Sequence, residues 1–126
     1  MDIRKMEKAV VTALEDIKGR DIVVLKVGHL TPLFERVIIA SAESTRQVKA
    51  LAGNVREKLK EAGYAVLSIE GEDSGEWILV DLGAIVVHVM QPAIRQYYNL
   101  EELWDHPLPK RPRAPKKTAQ SRPAAG

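Results

Sequence analysis

A chain of 126 residues has room for one domain and a tail, and at 45% hydrophobic residues it has the apolar content to fold rather than stay disordered. Its formal charge of +2 conceals a split: residues 1–106 hold 13 Lys and Arg against 17 Asp and Glu, while residues 107–126 hold six bases and no acid, so the domain itself does not bind nucleic acid by overall charge. The absence of cysteine excludes disulfides and thiolate metal sites; the longest uncharged apolar run, Leu82 to Val87, is far short of the roughly 20 residues that span a bilayer, and Met-Asp-Ile-Arg-Lys lacks the apolar core of a signal peptide, so a cytoplasmic protein is expected.

Residues 3–18 carry Ile3, Met6, Val10, Ala13, Leu14 and Ile17 at helical spacing, and Gly19 stops the run. Asp21 to Val27 reads as a short strand. Pro32 marks a connection, because it cannot donate to a ladder. Val37 to Ala40 is a second strand of the buried type. Ser44-Thr-Arg-Gln47 has the form of a capping box, with a hydroxyl for the helix amides and a Gln three residues on. The helix it opens places Val48, Leu51, Ala52, Val55, Leu59 and Ala62 on one face, and Gly63 supplies a left-handed exit. Ala65 to Ile69 is a third strand, and Glu70 to Gly75 an acidic, turn-rich loop. Trp77 to Met90 forms two strands turning at Leu82-Gly83-Ala84, and Ile94 to Trp104 is helical in tendency. From Pro107 the chain holds five of its seven prolines among basic and small residues, the composition of a disordered tail. The expected architecture is α/β: a mixed sheet of about five strands flanked by helices over residues 1–106, followed by the 107–126 tail.

The 77–90 ribbon separates core from surface. A tight turn through Gly83 places Ile78, Val80 and Leu82 on the same face as Ile85, Val87 and Val89, and that aliphatic face must be core. The other face carries Trp77, Leu79 and Asp81 beside Ala84, Val86, His88 and Met90. An indole, a carboxylate and an imidazole among apolar residues make a surface covered by something, either the protein's own helices or a partner. Leu79 and Val86 fit either cover, whereas Trp77 and Met90 point to a partner, because Trp is enriched where binding energy concentrates. His88 reads as a hydrogen-bonded structural residue, its tautomer held by Asp81. Tyr97, Tyr98, Leu100, Leu103 and Trp104 form a second aromatic cluster, which either staples a terminal helix to the sheet or extends the patch.

The run from Glu70 through Trp77, Asp81-Leu-Gly83 and His88-Val-Met90 resembles the signature of the RsfS/Iojap family. The resemblance continues through Arg95, Tyr98, Leu100, Glu101, Leu103 and Trp104, and upstream through Val37 to Val48. It covers roughly residues 3–105. It implies a nucleotidyltransferase-like fold without the catalytic acids, and a ribosomal silencing factor rather than an enzyme. It implies docking on the large ribosomal subunit through large-subunit ribosomal protein fourteen, which blocks small-subunit joining and represses translation when nutrients are scarce. The contact residues it implies are Trp77, Asp81, His88, Met90, Arg95, Tyr98, Leu100 and Glu101. Family members also form homodimers, so self-association is a further expectation. Two positions depart from the family pattern: Leu33-Phe-Glu-Arg36, where an Asp is usual, and Ala42, where a Gly is usual. The basic tail lies outside the pattern, as a weak contact to ribosomal RNA or a solubilising end.

The competing class is a nucleotidyltransferase-like enzyme acting on a magnesium nucleotide. That chemistry needs converging carboxylates and a Gly-Ser turn for the triphosphate, and Ser41-Ala-Glu-Ser-Thr45 supplies neither. No Gly-rich phosphate loop with a following Lys is present. No metal and no cofactor are expected.

Overall fold

Asp2 opens the first helix, α1 (Ile3–Asp16), by accepting a hydrogen bond from the Arg4 amide at 3.0 Å. The computed structural model describes residues 2–98, so the 107–126 tail and the aromatic run after Tyr98 lie outside the described residues. The helix ends earlier than the spacing predicts. Lys18, at φ 61°, is left-handed, and the amides of Lys18 and Gly19 return to the carbonyls of Glu15 and Leu14. Gly19 is still needed, because a Cβ there would press on the Leu14 carbonyl oxygen and the Leu51 side chain at 3.0 and 3.2 Å.

The second helix, α2 (Thr45–Glu61), starts at Ser44, whose Oγ accepts from the Gln47 amide at 3.1 Å. The reciprocal half of the capping box goes elsewhere: Gln47 Nε2 donates to the Ile17 carbonyl at 3.2 Å. Asn54 Nδ2 likewise donates to the Ala13 carbonyl at 2.8 Å. Two polar side chains of α2 thus tether it along α1, beside the apolar seam of Met6, Val10 and Leu14 against Val48, Leu51, Val55 and Leu59. Burying each of these aliphatic side chains contributes roughly 1.5–3 kcal/mol. At the far end Gly63, at φ 92°, gives the exit expected of it, with Gly63 and Tyr64 amides bonded to Lys60 and Leu59 carbonyls.

Five strands form one mixed sheet: β1 (Arg20–Lys26), β2 (Arg36–Ser41), β3 (Ser68–Glu70), β4 (Trp77–Asp81) and β5 (Ile85–Met90), in the order β1-β2-β5-β4-β3. Only β2 and β5 run parallel; the other neighbours are antiparallel. The expected α/β fold is present. A bulge between Arg20 and Val23, with Asp21 at φ 51°, bends the start of β1. β3 is shorter than expected, because the Leu67 amide bonds the Asp81 carbonyl, at the residue already paired with Ser68, and the regular ladder begins only there.

Both long helices cover one face. Ile38, Ala40, Ile78, Val80, Ile85, Val87 and Val89 point to them and are fully buried. The 77–90 ribbon therefore has the core face that its alternation predicts, with Ile78 opposite Val89 and Val80 opposite Val87.

Two glycines separate strain from crowding. Gly63→Ala meets nothing within 4 Å and should cost only its left-handed backbone, about 1 kcal/mol. Gly71, also left-handed at φ 90°, has the Trp77 carbonyl oxygen against the place of a Cβ, so Gly71→Ala must shift the start of β4 and cost more. Urea midpoints of the two variants check this; equal losses would contradict it.

Candidate functional site

The second sheet face is built in rungs across the strands. One rung reads Glu70, Leu79, His88, Ile39, Val23; the next reads Ser68, Asp81, Val86, Val37, Leu25. The β1–β2 ends of these rungs are closed. Val27, Val37, Ile39 and Met90 form a small buried cluster, with Leu25, Phe34, Trp77 and Ile94 packed against it. Its cover comes from the 27–35 connection and the third helix, α3 (Pro92–Tyr98). Phe34 thus gives the divergent Leu33-Phe-Glu-Arg36 segment a structural task. The β4 end is different: Trp77, Leu79, Asp81 and His88 remain half-buried, with Val86 at 8% exposure between them.

The polar groups on this face are held by the fold. Trp77 Nε1 donates to His88 Nδ1 at 3.0 Å, diagonally across the ribbon, with the rings 5.8 Å apart and inclined at 47°. A donor aimed at Nδ1 fixes the neutral imidazole with its proton on Nε2. Burial lowers the His88 pKa from 6.5 to about 4, which keeps it in that form. Asp81 does not hold the imidazole, as the sequence led one to expect. Its Oδ1 accepts from the Gly83 amide at 2.8 Å and pins the turn, where Gly83 has φ 88°. The strand pairing explains the correction: Leu79, not Asp81, sits opposite His88.

Met90 is a second correction. It is fully buried, opposite Trp77 and inside the small cluster, so it supports the surface from beneath and offers nothing to a partner in this state. Arg95 is 8% exposed, and its Nη1 donates to Ser41 Oγ at 2.7 Å. With the Gln91 amide on the Glu76 carbonyl and the Ala42 amide on the Met90 carbonyl, this bond ties α3 to the sheet. Ser41 was not expected as a site residue; its signal is a hydroxyl ending an otherwise aliphatic strand. Tyr97 and Tyr98 fall in the last turn of α3, and Leu100 and Glu101 lie outside the described residues.

The strand-to-helix junction that an enzyme would use is occupied by structural contacts. Ser41 accepts from Arg95, Ser44 caps α2, and Glu43 pairs with Arg20 at 2.9 Å. Among the described residues no three His, Asp or Glu side chains gather to hold a metal ion, and no helix is long and apolar enough to cross a membrane. Glu70, Glu72, Asp73 and Glu76 are all exposed.

These features define a class: a small α/β protein with one sheet face sealed by two helices and the other left partly open. Within it, the chain belongs to the RsfS family. The family described as "Ribosomal silencing factor during starvation" matches residues 1–125, a span that takes in the basic tail. Ribosomal silencing factor RsfS of Chromobacterium violaceum is 56% identical over 104 residues, 82% of this chain and 85% of that protein. The mouse protein named "Mitochondrial assembly of ribosomal large subunit protein 1" is 34% identical over 97 residues, 75% of this chain and 42% of that protein. A crystal structure of a C. violaceum protein superposes with a TM-score of 0.82 at 52% identity, covering 92% of this chain and 95% of that one.

The burial of the His88 ring makes stability depend on pH. The folded His88 pKa lies below the unfolded value, so its contribution is complete above pH 6.5 and is lost as pH falls toward 4. The loss is at most about 3 kcal/mol and less for a ring that water partly reaches. Urea midpoints of wild type and His88→Phe between pH 7 and pH 4 should converge as pH falls; parallel curves would show that His88 does not couple to folding.

Proposed function

We propose that the protein is a non-enzymatic ribosomal silencing factor of the cytoplasm. It docks its open sheet face on large-subunit ribosomal protein fourteen, stands where the small subunit would join, and represses translation when nutrients are limiting. The observation that supports this most is the half-covered strip of Trp77, Leu79, Asp81 and His88 in a chain of this family. The large subunit as the partner accords with the name of the mouse relative.

The strip suits a protein partner. It joins an anchored indole and aliphatic area to one carboxylate and one imidazole N–H, the mixture that supplies both apolar burial and orientation. In this reading Trp77, Asp81, His88, Tyr98, Leu100 and Glu101 touch the partner, Arg95 holds α3 in place, and Met90 backs the indole. Residues 107–126, with six bases and no acid, add salt-sensitive attraction to ribosomal RNA.

Trp77→Ala and Tyr98→Ala should each weaken association with isolated large subunits by about 2 kcal/mol or more, roughly thirtyfold, with circular dichroism unchanged. Co-sedimentation measures it, and undiminished binding by both folded variants would refute the assignment. Removing residues 107–126 should weaken binding at low salt and leave it nearly intact at high salt. Complete loss of docking at both would transfer the role to the tail.

A further inference from the structure

A hollow of about 680 Å³ lies where α2 ends and the outer strand of the sheet begins. Its wall includes Arg56, Lys60, Tyr64, Ser68 and Ile69, and no carboxylate. This is notable in a domain whose residues 1–106 carry more acids than bases. Arg56 and Lys60 stand one helical turn apart and rise on the same flank of α2. Both are exposed, and neither is in an ion pair among the described residues. Lys58, by contrast, lies 3.9 Å from Glu61.

The strand edge adds a backbone donor. The Leu82 amide donates to the Ile85 carbonyl at 2.9 Å, so alternate β4 residues turn their amides to β5 and the intervening Leu79 and Asp81 turn theirs to β3. Their partners there are Glu70 and Ser68. Ile69, between them, must therefore aim its N–H off the free edge, into the hollow. One feature opposes an anion: the carbonyl end of α2 carries roughly half a negative charge. The carbonyls of Lys58, Leu59 and Lys60 are already bonded to the Ala62, Tyr64 and Gly63 amides, and two full positive charges outweigh the remainder.

We propose that this hollow binds phosphate groups of an RNA backbone. A guanidinium, an ammonium, two hydroxyls and an outward amide are donors suited to a multi-oxygen anion. A strand of RNA fits better than a free nucleotide, because the chain has no Gly-rich loop to wrap a triphosphate and the hollow opens along the sheet edge. Ser68, which lines the hollow, pairs with Asp81 of the strip described above, so the two lie on neighbouring strands. The proposal deepens the ribosome-docking reading: a protein contact on the open face and an RNA contact at its margin.

Fluorescence anisotropy of a labelled single-stranded RNA oligonucleotide with the full-length protein, over a salt series, tests it. Arg56→Ala/Lys60→Ala is compared with Arg46→Ala/Lys49→Ala, which removes equal charge from the exposed first turns of the same helix. The first pair should weaken RNA binding about tenfold at low salt and reduce the slope of log K against log salt by about 1.4, the value for two phosphate contacts on a single strand. The second pair should leave the slope within half of that change. Equal losses for both pairs, no loss for either, or displacement of the RNA by ATP at micromolar concentration would each overturn the proposal. Trp77→Ala, the docking variant, should leave the RNA slope unchanged, so the RNA site and the protein-docking reading can fail separately.

Discussion

The pairing register of β4 with β5 is the constraint on which the rest depends. Side chains alternate strictly along a strand, so a slip of one residue would send Ile78, Val80, Val87 and Val89 out of the core and bring Trp77, Asp81 and His88 into it. Three contacts hold the register. The Asp81 carboxylate caps the Gly83 amide, Gly83 takes the left-handed turn, and the Trp77 indole reaches His88 across the ribbon. The first two act at the turn and the third near the open ends, so the ribbon is fixed at both extremes. Because β5 also pairs in parallel with β2, the same register sets which residues of the whole sheet look toward the helices.

The two faces then meet different fates for a reason of supply. Among the described residues two long helices are available, and both lie on one face, joined along an apolar seam and stitched by Gln47 and Asn54. The other face receives a seven-residue helix and the 27–35 connection, enough for the β1–β2 side and not for the β4 side. Among the described residues, the half-covered strip is thus a consequence of how the helices are spent. The indole N–H, the imidazole Nδ1 and one Asp81 oxygen are bonded within the fold, so the strip stays ordered while half-covered.

Much of this was legible in the residues. Periodicity of 3.6 in the first helix and of 2 in the ribbon reported burial directly, and Gly63 announced a left-handed turn. What escaped were choices made in three dimensions. Met90 has the alternation of a surface residue and is buried, because α3 folds back over that end of the strand. Asp81 was read as a partner of His88 from proximity in the ribbon, but the pairing sets Leu79 opposite the ring and leaves the carboxylate to the turn. Gln47 had the spacing to accept from the Ser44 amide, and instead its Nε2 donates to the Ile17 carbonyl, thirty positions away. In each case local chemistry named the right kind of group, and tertiary packing chose its partner.

The claim that the open β4 strip is the docking face can be tested by placing a photo-cross-linking amino acid at Leu79, half-buried on the strip, and at Thr12, exposed on α1 across the sheet. After irradiation with purified large subunits, position 79 should capture large-subunit ribosomal protein fourteen and position 12 should not. Capture of that protein from position 12 alone, or of a different protein from position 79, would contradict the assignment.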